Sequence, residues 1–355
     1  MAQMPRARTA ELAELERRER LRLVLRGDSV VEWRRLYFRD IGQVNRFLRL
    51  CEIDPQDTDD GRWMWTVLSD AVNFLEQNFD FRVPDAVARP ARVQDLFLYA
   101  SGAKGSVGLR RAACVVLKVM HVIQHVESRD LLFNTVVSEA VLAEMVTEKV
   151  TAACQRMAEE GLHVVEFKGS VKTRDSLITK LLAKRANVAA QIYDKTRFRI
   201  VTRSRRDVVR AVDFLTEQIF PFNYVVPGQT ENSLIPWETV VGSGNRRLPR
   251  GRKREKDEVT LSNGNAFSGA GYNVLNFVAD VPVRFDRFLP DPAYDYRPRR
   301  CRVAFALAEF QVVDAETAAI NEHGDNAHAL YKRRQKDMVL QRLFQSARGD
   351  TSLQD

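Results

Sequence analysis

The spacing of apolar residues changes near residue 164, and that change limits what this chain can fold into. Before it, apolar side chains recur at helical intervals. Residues 10–26 read as a charged helix closed by Gly27, a residue suited to the left-handed conformation after a helix end. Ser29 and Glu32 form a capping-box pattern ahead of Trp33, Leu36 and Tyr37. Asp40 precedes a helix whose apolar face carries Val44, Phe47, Leu48 and Cys51, and Trp65, Leu68, Val72 and Leu75 mark another. Leu109, Ala112, Ala113, Val116, Leu117, Met120 and Ile123 predict a strongly apolar helix over 109–126, and a long helix over 138–160 ends at Gly161. Beyond that point short β-prone runs alternate with helices: 163–167, 197–202, 224–226, 239–241, 274–278 and 303–313, with helices over 204–218 and 315–345. The pattern predicts an α+β chain, with an all-helical part over 1–137, a mixed sheet flanked by helices over 138–345 and a disordered tail over 346–355.

Composition bounds the setting. At 355 residues the chain has room for two domains, and 45% hydrophobic residues suffice for a core. A formal net charge of +8 favours anionic partners such as nucleotides, RNA or acidic surfaces without choosing among them. Cys51, Cys114, Cys154 and Cys301 lie far apart in sequence, which points to buried reduced thiols. The first twenty residues lack the apolar core of a signal peptide, and no apolar run approaches the roughly 18 residues of a membrane helix, so a cytoplasmic location is expected.

Three features could carry chemistry. His121 and His125 stand one helical turn apart, but without the glutamate of a metalloprotease helix a structural role outweighs a metal site. Residues 168–185 read as a basic helix-like segment bearing Lys172, Arg174, Lys180, Lys184 and Arg185. On the last strand, Glu309 and Gln311 alternate and so point to one face; a carboxylate on a mostly buried strand needs a cation or a polar site beside it. Between strands, 242–271 is a Gly/Ser/Asn-rich insertion whose residues 246–256 crowd seven lysines and arginines, either a phosphate or RNA clamp or a solvated loop.

The run from Glu309 to Lys332, EFQVVDAETAAINEHGDNAHALYK, resembles the final motif of the RelA/SpoT alarmone synthetase domain, E-x-Q followed by a helix and G-x-A-A-H-x-x-Y-K. Glu309, Gln311, Gly324, Ala327, His328, Tyr331 and Lys332 fall in register without a gap. Weaker matches occur in the same order: VKTRDSLITK at Lys172, Ser176 and Lys180; IYDKTRFRIV at Asp194 and Arg199; and Gly271-Tyr272 with Leu275. The resemblance spans about residues 140–335 and implies a nucleotidyltransferase-like fold. It implies ATP-dependent pyrophosphate transfer to the 3′-hydroxyl of a guanine nucleotide, with Mg²⁺ on Asp194 and Glu309. Lys172, Arg174, Ser176, Lys180, Arg199, Tyr272, Gln311 and His328 would hold the nucleotides, with Tyr272 stacking on the acceptor base and Glu309 also activating the hydroxyl. Some members of that family modify the 3′ end of tRNA, which makes tRNA or another RNA, met through 246–256, the alternative acceptor; a catalytically inactive nucleotide or RNA sensor is the non-enzymatic alternative. The chain departs from the family pattern at Ser170 for an arginine, Arg197 for a glycine, Val274 for a serine, Asn276 for a histidine, and Val313-Asp314 for Arg-Thr. No paired His-Asp motif of the family's hydrolase half occurs in the first 150 residues. The role of that half, an oligomeric state and the trigger are left open by the sequence.

Overall fold

The computed structural model describes residues 37–183, 195–236, 272–289, 301–323 and 328–348, with 20–27 and residues 14, 17 and 18. Asp194, the expected strand at 239–241 and the basic segment 246–256 lie outside the described residues.

The first half is helical: α1 (Ile41–Leu50), α2 (Thr58–Phe79), α3 (Asp95–Ser101), α4 (Val107–Asn134) and α5 (Glu139–Glu159). Side chains set several of the starts. The Asp40 carboxylate accepts from the Gln43 N–H at 2.8 Å, Asp57 accepts from Asp59 and Asp60, and Ser138 accepts from Val141. Gly27 takes the left-handed φ of +62° that its position after a helix predicts. Tertiary packing adds a second demand there, because a Cβ at Gly27 would fall 2.9 Å from the Thr230 Cβ.

The second half builds one five-stranded mixed sheet from β1 (Val164–Val171), β2 (Thr196–Thr202), β3 (Val225–Asn232), β4 (Leu275–Arg284) and β5 (Val303–Asp314). Its order is β1-β2-β5-β4-β3, with β2 and β5 parallel and the other pairs antiparallel. Helices α6 (Arg174–Ala183), α7 (Arg205–Gln218), α8 (Ala315–Asn321) and α9 (His328–Arg348) connect and flank it. Two expectations change. The basic segment is not one helix: β1 runs on to Val171, the Lys172 N–H donates to the Lys195 carbonyl, and helix begins only at Arg174. The final helix is likewise two: α8 ends at Asn321 with Glu322 as its C-cap, and α9 runs from His328 to Arg348.

One face of the sheet is a dry core. Phe198, Ile200, Phe277, Ala308, Phe310 and Val312 pack under Val146, Val150 and Met157 of α5 and Val208, Val212 and Leu215 of α7. Phe277 and Phe310 stack at 5.4 Å. Helices α1–α4 have their own apolar cluster, closed by Phe222, Tyr224, Cys301 and Val303 from the sheet half. All four cysteines are buried and free.

Among the described residues, a helix covers one end of the opposite face of the sheet. There α4 lies over the start of β5, and the His125 ring stacks on Phe305 at 4.4 Å. Burial holds His121 down to about 3 and His125 to about 4, and raises Asp280, whose carboxylate sits 3.7 Å from His125, to about 7. The histidines are therefore structural and neutral, and no group of three potential metal ligands occurs among the described residues. Between about pH 4 and 6.5 the unfolded chain gains two histidine protons that the native cluster refuses, while native Asp280 keeps one that the unfolded chain has lost. The net is one proton in favour of the unfolded state, so stability from this cluster falls on acidification by about 1.4 kcal/mol per pH unit. Asp280→Asn should roughly double that slope in urea unfolding between pH 4.5 and 6.5; an unchanged slope would show the cluster is not neutral.

Candidate functional site

The other end of that second face holds the polar residues. Strand alternation and register decide which ones meet. The parallel pairing sets Arg197 opposite Glu309 and Arg199 opposite Gln311. From the other side, antiparallel pairing sets Asn276 opposite Gln311, and Glu231 opposite Asn276. On β1, Ser170 faces Arg197 and Lys168 faces Arg199. Across the five strands this gives a row of cations and amides with two carboxylates, Glu231 at its edge and Glu309 at its centre, directly behind the aromatic core.

Glu309 is the centre of the row and is only 5% exposed. Its Oε2 accepts a hydrogen bond from the Arg197 Nε, and its Oε1 accepts one from the Asn276 Nδ2 at 2.7 Å. A carboxylate this deep needs such partners, since isolated burial of its charge is prohibitive. Arg199 reaches outward to Glu322 at 3.0 Å, just past α8. The Asn276 Oδ1 is buried without a hydrogen-bond donor.

Tyr272 enters immediately before β4. Its segment is clamped to α8 by two bonds: the Asn273 N–H donates to the Asn321 Oδ1 at 3.1 Å, and the Asn321 Nδ2 donates to the Asn273 carbonyl at 2.7 Å. Burial raises the Tyr272 hydroxyl above its ordinary range, while Arg197 and Arg199 pull it down and Glu309 and Glu231 push it up. The ring thus shares one electrostatic environment with the whole row.

Of the residues singled out from sequence, the fold brings Glu309, Gln311, Arg199 and Tyr272 to one place. Lys172 sits at the junction of β1 and α6, and Arg174 and Ser176 are exposed on the first turn of α6, where the Ser176 and Thr173 hydroxyls lie 3.0 Å apart. Lys180 is half-buried further along α6, which packs against α9 through Ala183, Met338 and Val339. His328 opens α9, with its side chain outside the described residues, as is Asp194. Arg197 and Asn276, both at positions where the chain departs from the resembled pattern, are the direct partners of Glu309. Strand parity was the available signal: 197 and 199 alternate just as 309 and 311 do.

Mg²⁺ does not fit Glu309 as the described residues stand. Both carboxylate oxygens already accept hydrogen bonds, and one partner is a permanent cation. The pair also supports the fold. Arg197→Met should destabilise the protein by about 3 kcal/mol in urea unfolding, because it leaves a buried carboxylate unpaired, whereas the double change Arg197→Met with Glu309→Met should recover most of that loss. A double variant no more stable than the single one would show the pair is not the source of the effect.

No protein-family model and no curated protein matches the chain. Solved structures that align with it include the small alarmone synthetase 2 from Bacillus subtilis, at 14% identity over 60% of this chain and 97% of that one, TM-score 0.33. The small alarmone synthetase 1 from Bacillus subtilis bound to its product pppGpp aligns at 13% identity over 60% and 94%, TM-score 0.32. A GTP pyrophosphokinase family protein from Streptococcus pneumoniae aligns at 14% identity over 59% and 87%, TM-score 0.28. Superpositions this loose transfer no residue roles. Among the described residues, no helix is long and apolar enough to cross a membrane.

Proposed function

We propose that the open end of the sheet is a nucleotide site of RelA/SpoT type, and that its reaction is pyrophosphate transfer from ATP to the 3′-hydroxyl of a guanine nucleotide. The observation that carries this reading is the convergence of Arg197, Arg199, Gln311, Asn276 and Tyr272 on the buried Glu309. Phosphoryl-type transfer asks little covalent chemistry of a protein; it asks for cations on the phosphates and a fixed geometry for the attacking oxygen. In the proposed reaction the acceptor 3′-oxygen bonds to the β-phosphorus of ATP, the bond between the α- and β-phosphates breaks, and AMP leaves.

Each part of the row has a task in this scheme. Arg199 and Lys168, adjacent on β2 and β1, supply positive charge for phosphate oxygens. Lys172, Arg174, Ser176 and Lys180 extend that charge and hydrogen-bonding capacity past the end of β1. Tyr272 offers an aromatic face for a purine, held in place by the Asn273–Asn321 clamp. Gln311 adds an amide that can both donate and accept beside Arg199. The Glu309 carboxylate fixes the orientation of Arg197 and Asn276 and is the nearest base for the acceptor hydroxyl.

A second reading, nucleotide binding without transfer, is favoured by one specific observation, the engagement of both Glu309 oxygens. Incubating the purified chain with γ-³²P-ATP and Mg²⁺, together with GDP, GTP or tRNA in separate reactions, separates the readings. Label should appear on the guanine nucleotide, and Glu309→Gln should lower the rate by roughly 10²–10⁴-fold. Label on tRNA alone would move the acceptor to RNA, and no transfer with nucleotide binding retained would establish the second reading.

A further inference from the structure

We infer that Arg197 is the resident cation of Glu309, so that the site takes its nucleotide without a divalent ion on that carboxylate. The inference deepens the nucleotide reading above and rests on it for the identity of the anion that binds. Its own basis is the geometry of β2, β5 and β4.

The register leaves Arg197 little alternative. It sits directly opposite Glu309 on the neighbouring parallel strand, a spacing of about 4.8 Å between backbones, and both side chains rise on the same face. Glu309 is deeply buried, so a metal could not approach from solvent without first displacing the guanidinium. The opposite flank is closed as well, because Asn276 presents its amide nitrogen, a donor and not a ligand, to the second oxygen. The guanidinium is a permanent cation, so the carboxylate has a fixed counter-charge beside it. Within the described residues no cluster of three potential metal ligands forms around it.

Arg197 is a positioning residue in this scheme. Its Nε holds the Glu309 carboxylate in place, one residue pair along the strands from Arg199.

Mn²⁺ binding to the full, nucleotide-free chain, followed by electron paramagnetic resonance, tests this without reference to activity. Wild type and Glu309→Gln should bind Mn²⁺ with affinities within about twofold of each other. Arg197→Met should bind at least tenfold more tightly than wild type, and adding Glu309→Gln to it should abolish the gain; Arg197→Gln serves the same comparison should the methionine variant not fold. A tenfold loss on Glu309→Gln in the wild-type background would overturn the inference, since the metal would then be displacing Arg197. No gain in either Arg197 variant would overturn it equally, because Glu309 would not be a cation site even when freed. Failure of the nucleotide reading shows separately, as absence of GDP, GTP and ATP binding in a calorimetric titration, and leaves the Mn²⁺ comparison readable.

Discussion

The parallel pairing of β2 with β5 is the contact on which the rest of this protein depends. One register does two things at once. It stacks Phe198, Ile200, Phe310 and Val312 on the buried face, and it sets Arg197 against Glu309 and Arg199 against Gln311 on the other. Because side chains alternate along a strand, a slip of one residue would turn the aromatics to solvent and the charges into the core. The aromatic layer therefore enforces the geometry of the polar row. The site is as rigid as the core behind it, which suits a task that consists largely of positioning.

The two ends of the second face have opposite fates, and α4 decides which is which. Where α4 lies on Phe305, the sheet face is sealed, and His121, His125 and Asp280 are held neutral by burial. A few residues along β5 the same face carries the buried Glu309 beside the Arg197 guanidinium. Ionisable groups on one sheet thus meet two solutions to the same problem: neutralise by losing the charge, or keep it beside a fixed counter-charge. Only the second leaves a face that can meet an anionic ligand.

Much of this was legible in the residues. The shift of apolar period near 164 located the sheet, Asp40 and Ser138 marked helix starts that they do cap, and the alternation at 309 and 311 put both side chains on one face. The boundary between β1 and α6 was not legible, because FKGSVKTRDSL has no clear period of either kind and its β-structure comes from pairing with β2. Residues 315–345 read as one helix because Asn321 and Glu322, where α8 ends, are residues that a helix tolerates.

The sequence by itself determined the class of structure, helix starts such as those at Asp40 and Ser138, the parity of the last strand and the identities of the charged residues, because these depend on neighbours within one or two turns of chain. Tertiary structure alone decided who partners Glu309. Arg197 and Asn276 lie 112 and 33 residues away from it and come together only through strand order and register. That decision is non-local for a physical reason: backbone pairing between strands is blind to side-chain identity, so the register is set by the whole buried aromatic layer, and the polar partners follow from it.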